Sequence, residues 1–148
     1  MTLTRATDRP LTLSGLQPGD GPAITRLVWS LHQANREPIK PHEARALLRH
    51  RLRRGDRIAV ARMAGRAVGY ALWREAERHV YVRHFVVDPA LARRGIGRRF
   101  FAALTDQWPV GRTVRLHCQT KKALAFWHAL GFGAAHDPLH GDHLERRA

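Results

Sequence analysis

Cysteine is all but missing from this chain. The one thiol, Cys118, leaves no partner for an internal disulfide and rules out a cysteine-rich zinc site. Its place in the apolar run Thr113–Cys118 marks a packed thiol, not a nucleophile. Long hydrophobic runs are missing too. No stretch of about 18 apolar residues occurs, which excludes a membrane-spanning helix. The opening MTLTRATDRP has no apolar segment of signal-peptide length, so the expected location is the cytoplasm. Acidic residues are scarce: 12 Asp and Glu against 26 Lys and Arg give a net charge of +14. Lysine is scarcer still, confined to Lys40, Lys121 and Lys122, so the positive charge is arginine, spread from Arg5 to Arg147 without a basic tail. Codon composition explains that bias as readily as a binding surface does. Nucleic acid is therefore not the favoured partner, although a basic RNA- or ribosome-associated protein stays open as an alternative. No internal repeat or low-complexity tract appears. The 148 residues suit one ordinary domain, with residues 1–10 as the stretch expected to be flexible.

Hydrophobic periodicity and turn residues divide the rest. Residues 11–16 read as a strand and 21–34 as a helix with Ile24, Leu27, Val28 and Leu31 on one face. The helix breaks near Pro38, and Pro41 starts another that runs to about Arg54. In its basic stretch, ARALLRHRLRRGD, Leu47, Leu48 and Leu52 fall at helical spacing. The arginines then form a solvated outer face without the aromatic interleaving that stacks bases. Arg57–Met63 alternates as a strand, Ala64-Gly65 turns, and Arg66–Arg74 returns as its hairpin partner. After a polar turn at 75–78, a strand at 79–87 leads through a loop at 88–94 into a helix of about 95–107. Arg112–Cys118 is a further strand, Lys121–Leu130 a helix, and Phe132–Leu144 two short strands around Asp137-Pro138. Hairpins together with helical crossovers predict a mixed α/β sheet with helices on both faces.

The stretch HVYVRHFVVDPALARRGIGRRFFAALTD, His79 to Asp106, carries the most chemistry. A β-rich run ends at Asp88-Pro89, a basic glycine-bearing turn follows, and an apolar-periodic helix starts at once. The free N–H groups and dipole of a helix N-terminus make such a turn a seat for phosphate or pyrophosphate. Gly95 and Gly97 are expected to let the backbone approach the ligand. Ile96 lies between them, and Arg93, Arg94, Arg98 and Arg99 surround it with charge. The loop is neither a G-x-x-x-x-G-K-[ST] nor a G-x-G-x-x-G motif, since Phe100 stands where the third glycine belongs.

In this context the loop resembles that of the GCN5-related N-acetyltransferase (GNAT) family, whose members transfer acyl groups from coenzyme A to amines. LTLSGLQPGD (Leu11–Asp20) resembles the family's first strand and turn, His79–Asp88 its central fourth strand, and Ala92–Gly97 its pyrophosphate loop [QR]-x-x-G-x-[GA]. KKALAFWHALGF (Lys121–Phe132) is similar to its late helix. The resemblance spans most of the chain. It implies the acetyltransferase fold, a mostly antiparallel sheet whose central strands splay to admit a thioester. It further implies acetyl-CoA as co-substrate without a metal, and attack by a primary amine of a small molecule or protein in a ternary complex. A homodimer is left open. It places the pantetheine arm against the backbone of Phe85, Val86 and Val87, with Thr120, Phe126 and Trp127 beside the cofactor. Thr120 stands where relatives have an asparagine, and three further positions depart from the family. Ala92 replaces the usual Gln or Arg, Trp127 stands where many relatives have a tyrosine that protonates the thiolate, and Tyr81 replaces a glutamate base.

Acyl transfer needs a neutral amine, a stabilised oxyanion and a proton for the thiolate. Tyr81 and His84 are the strand's candidates, His84 as base directly or through water; core packing is the alternative for both. Strand alternation predicts Tyr81, Arg83 and Phe85 on one face, with Val82, His84 and Val86 on the other. His117 and His128 are weaker acid candidates. His136, His140 and His143, with Asp137 and Asp142, match no standard metal frame and read as a polar loop near the acceptor mouth. A non-catalytic acyl-CoA-binding module is the second alternative, suggested by the missing tyrosine and glutamate.

Overall fold

The structure is a computed structural model that describes residues 9–134 and 143–147. Its seven strands are β1 (Leu11–Ser14), β2 (Arg57–Met63), β3 (Arg66–Glu75), β4 (His79–Val87), β5 (Thr113–His117), β6 (Gly133–Ala134) and β7 (His143–Arg147). The helices are α1 (Gly21–Ala34), α2 (Pro41–Arg53), α3 (Ile96–Thr105) and α4 (Lys121–Ala129). One mixed, mostly antiparallel sheet runs β1-β2-β3-β4-β5-β7-β6. Only β4 and β5 pair in parallel, which requires a connection across one face, and α3 supplies it. Residues 1–8, the Asp137-Pro138 turn, His136, His140 and Asp142 lie outside the described residues.

The helices start where local chemistry allows. Lys40 is extended, as a residue before proline must be, and Pro41 opens α2 while Glu43 accepts from the Lys40 N–H at 3.4 Å. Thr120 caps α4, its hydroxyl accepting from the Ala123 N–H at 3.1 Å. The turn before α1 is fixed from a distance. Asp20 takes a two-pronged ion pair from Arg62 of β2 at 2.6 and 2.8 Å. Arg62 also donates to Ser14 Oγ and the Gly15 carbonyl, so one buried guanidinium ties β1, β2 and α1 together.

Two cores sandwich the sheet. Ile24, Leu27 and Val28 of α1 and Ala44 of α2 pack on Val60, Tyr70, Leu72 and Val86. Ile96, Phe100, Phe101 and Leu104 of α3 and Trp127 of α4 pack on Ala59, Ala61, Ala71, Val80, Val82, Val114 and Leu116. The expected alternation along β4 fails because of a bulge. Leu72 faces His84 and Trp73 faces Val82, so Arg83 is an extra residue opposite nothing. Val80, Val82, Phe85 and Val87 therefore meet the α3–α4 core, whereas Val86 joins the α1–α2 core.

Candidate active site

The bulge sits where the sheet opens. Pairing of β4 with β5 runs from His79 opposite Thr113 to Val82 opposite Leu116 and stops there, although β4 continues to Val87. The other edge of β4 stays paired with β3 up to Val87 opposite Gly69. The β5-facing edge past Val82 thus has no strand partner among the described residues, which leaves an extended ligand room to add itself there. At the mouth of the splay lies a cavity of about 340 Å³, walled by Tyr81, His84 and Phe85 of β4, His117 of β5, His32 of α1 and Arg51 of α2.

Partnerships between residues close in space, most of them distant in sequence, shape the polar groups. His84 Nδ1 and the Tyr70 hydroxyl lie 2.9 Å apart. Tyr70 is fully buried, and burial pushes its pKa far above the usual phenol range, so it stays a neutral O–H. That hydroxyl has no other hydrogen-bond partner among the described residues; it donates to Nδ1, leaving the His84 ring proton on Nε2. Burial, with the charges of His32, Arg51 and Arg83 behind it, pulls the His84 pKa down to about 4, so the ring is neutral near pH 7. The His32 Nδ1 lies 2.9 Å from the Val28 carbonyl, which can only accept, so Nδ1 carries a proton and Nε2 is an acceptor whenever the ring is neutral; the two rings meet edge to face at 5.9 Å. Arg83 is held at 2.7 Å by Asp56, whose side chain is 0% exposed and also meets Arg74 at 3.1 Å. Tyr81 lies 3.5 Å from His143 Nε2, and the His117 and His143 rings stand 5.4 Å apart.

Beyond β4 the chain makes a turn of 3-10 helix at Pro89–Leu91, capped by Asp88, whose carboxylate accepts from the Ala90 N–H. Arg93 and Gly95 both adopt positive φ, at 64° and 71°, with Arg94 between them at negative φ. Such alternation turns successive N–H groups into one concavity, and it ends at the N-terminus of α3. Gly95 has open space beside its Cα. Gly97 has a packing reason for its missing side chain. A Cβ there would stand 3.1 Å from the Phe126 ring and 3.7 Å from Val87, so its missing side chain lets α3 pack on α4 and β4. Ile96 is buried in the core. Arg93 and Arg98 are exposed. Arg94 lines a second cavity, of about 780 Å³, together with Arg26 and Arg66. Arg99 turns away and donates to the Arg9 carbonyl at 2.6 Å.

The late helix divides its aromatics. Phe126 is half-buried and stacks on Phe85 at 5.8 Å. Trp127 is 6% exposed; its ring packs on Phe85 at 5.2 Å and Phe101 at 5.3 Å, while its edge reaches the cavity wall. His128 meets the Phe132 carbonyl at 3.0 Å and closes its own helix instead of entering the cavity. Cys118 is half-buried in the wall, and burial raises its thiol pKa. Sequence reasoning missed His32, Tyr70, Asp56 and the inward turn of Arg51. His32 follows the Ile24–Leu31 stripe of α1, and that position was its only local sign.

The family model described as acetyltransferase (GNAT) domain matches residues 31–146. Among solved structures, an acetyltransferase from Thermus thermophilus superposes with a TM-score of 0.75 at 18% identity, covering 93% of this chain and 97% of that one. PaiA N-acetyltransferase from Thermoplasma acidophilum, in complex with coenzyme A, gives 0.65 at 11% identity over 94% and 99%. The ribosomal-protein-S18-alanine N-acetyltransferase of Escherichia coli gives 0.65 at 19% identity over 92% and 91%. No curated protein sequence matches the chain.

Proposed function

From the premise that this chain belongs to the GNAT acetyltransferase family, we propose that it transfers an acetyl group from acetyl-CoA to a primary amine by direct attack in a ternary complex. The observation that carries this reading is the unpaired edge of β4 past Val82, running straight into the Arg93–Gly95 concavity. The edge suits the amide groups of a pantetheine arm along Phe85, Val86 and Val87. The concavity, with the α3 N-terminus behind it and Arg93, Arg94 and Arg98 around it, suits a pyrophosphate. Thr120 and Phe126 flank the cofactor from α4, and Trp127 forms the floor beneath the acyl group.

Transfer forms a C–N bond, breaks the C–S bond, and moves a proton from the amine, by way of a base, to solvent or to the departing sulfur. His84 serves here as a donor instead of a base, because its Nε2 carries the proton and its pKa of about 4 makes it a poor acceptor near neutrality. A neutral imidazole N–H aimed at a developing oxyanion costs little reorganisation. The acceptor nitrogen of His32 takes the amine proton, directly or through water, and the Tyr81–His143 pair supplies the opposite wall. A thiolate is stable enough to leave without a strong acid, so Trp127 does not forbid the chemistry.

Binding without turnover is the rival reading, favoured by the indole of Trp127 where many relatives carry a tyrosine. Release of free thiol from acetyl-CoA across a broad amine panel decides between them. Amine-dependent release is expected; tight acetyl-CoA binding with no release above hydrolysis would establish the binding module.

A further inference from the structure

Arg51 breaks ranks with the other arginines of α2. Arg45, Arg49 and Arg53 are exposed, as a solvated helix face requires, but Arg51 is half-buried and lines the cavity. Its guanidinium makes no ion pair or hydrogen bond with any described residue. Arg83, the other arginine in that wall, is already matched by Asp56 at 2.7 Å. A half-desolvated guanidinium with nothing to pair with is costly unless something arrives to pair with it. Glu37 is the sole carboxylate among the described lining residues; it is exposed and makes no ion pair with Arg51. The cavity lining thus holds one half-buried, unmatched positive site and one exposed negative site that does not pair with it.

That arrangement excludes some amines and favours others. A polycation needs several carboxylates, and this cavity offers one. About 340 Å³ suits a ligand of amino-acid size. A planar guanidinium binds carboxylate and phosphate through paired N–H donors. We propose that the acceptor is a small amine carrying an anionic group, a carboxylate or a phosphate, which Arg51 holds while the amine faces His32 and His84. The inference rests on the acetyl-transfer reading above and adds the class of acceptor to it.

The test compares each common amino acid with its carboxamide, and O-phosphoethanolamine with ethanolamine, with spermidine as the polycation, reading free thiol from acetyl-CoA. At least one anionic amine is expected to exceed its neutral counterpart about tenfold in kcat/KM, and the better pair tells carboxylate from phosphate. Arg51→Met should lower kcat/KM for that acceptor roughly tenfold, mainly through KM, and narrow its lead over the neutral form; Arg51→Lys should restore part of it. Faster turnover of neutral amines or spermidine, or a lead that survives Arg51→Met, would overturn the proposal. If calorimetry shows acetyl-CoA binding but no anionic amine is acetylated, the proposal falls while cofactor binding stands. If acetyl-CoA itself does not bind, the transfer reading fails first.

Discussion

His84 owes its chemistry to Tyr70, which comes 14 residues earlier and reaches it across the β3–β4 hairpin. In the sequence His84 is a histidine on a central strand, and its ordinary pKa suggests a base. Burial and the Tyr70 hydroxyl make it a neutral donor, and neither is legible from its neighbours in the chain. His84→Ala and Tyr81→Phe are each expected to lower kcat about ten- to a hundredfold with acetyl-CoA affinity similar, measured by steady-state transfer to an acceptor found in the screen. Wild-type rates in both would return these side chains to packing roles. The same burial links His84 to stability. Its folded pKa of about 4 lies below the ordinary 6.5, so the unfolded chain binds more protons between those limits. Stability therefore falls as pH drops from about 6.5 towards about 4, by roughly 1–3 kcal/mol from this group. Urea midpoints compared at about pH 7 and about pH 4.5 should differ less in His84→Gln. Asp20 acts in a separate window. Arg62 holds its carboxyl below the unfolded value of 3.8, so that contribution is lost only at still lower pH. Gly97 is a residue the motif located and for which the structure adds a packing reason, the approach of Phe126. Gly97→Val is expected to displace Phe126 and weaken acetyl-CoA binding through the α3–α4 contact, which calorimetry on the folded variant will check.

At the scale of elements, most boundaries were legible because punctuation marks them. Pro41 opens α2, Gly65 turns the β2–β3 hairpin, and Gly131 follows α4. The predicted ranges for α1, β2 and β4 agree with the structure, and the first strand is shorter than expected, ending at Ser14. The bulge at Arg83 was not legible. Nothing in VYVRHFVV distinguishes an even alternation from one with a slipped residue, since both leave apolar side chains on each face. Only the register against β3 reveals it, and that register reorients His84 and Phe85. The Asp20–Arg62 pair was hidden for a similar reason, its members being 42 residues apart. Removing one partner strands a buried charge, so Asp20→Asn or Arg62→Met should each cost about 3–5 kcal/mol. The double variant should cost less than the sum of the two, as a double-mutant cycle by urea denaturation will show. Thr120→Ala should cost only about 1 kcal/mol, because the cap satisfies a single N–H.

Over the whole molecule, the proposed acetyl transfer requires separate seats for the two ends of a long cofactor. The splay would receive its acyl end and the loop after β4 its phosphates, with the strand edge past Val82 between. The net charge of +14 adds a field that favours any polyanion, so binding of acetyl-CoA alone does not establish the loop as its seat. Two comparisons separate general attraction from a built site. Ligand that binds only the folded state stabilises it by about 2.7 kcal/mol at a hundredfold excess over Kd. For a chain of this size that raises Tm by about 5–10 °C. Acetyl-CoA is expected to produce such a shift in thermal melting. Acetyl-pantetheine, which lacks the pyrophosphate and nucleotide, should give much less at equal concentration. Because exposed charges are screened within about 8 Å at physiological salt, adding salt should trim the acetyl-CoA shift without abolishing it, since the loop amides of Arg93–Gly95 are fixed donors. An oligonucleotide bound through diffuse arginine charge should instead lose its affinity steeply as salt rises. If the acetyl-CoA shift vanished with salt as completely as the oligonucleotide's, the pyrophosphate seat would be wrong and the charge alone responsible. A shift that survives salt but disappears in Gly95→Val, where a β-branched residue would have to adopt the 71° φ, would fix the seat at the turn before α3.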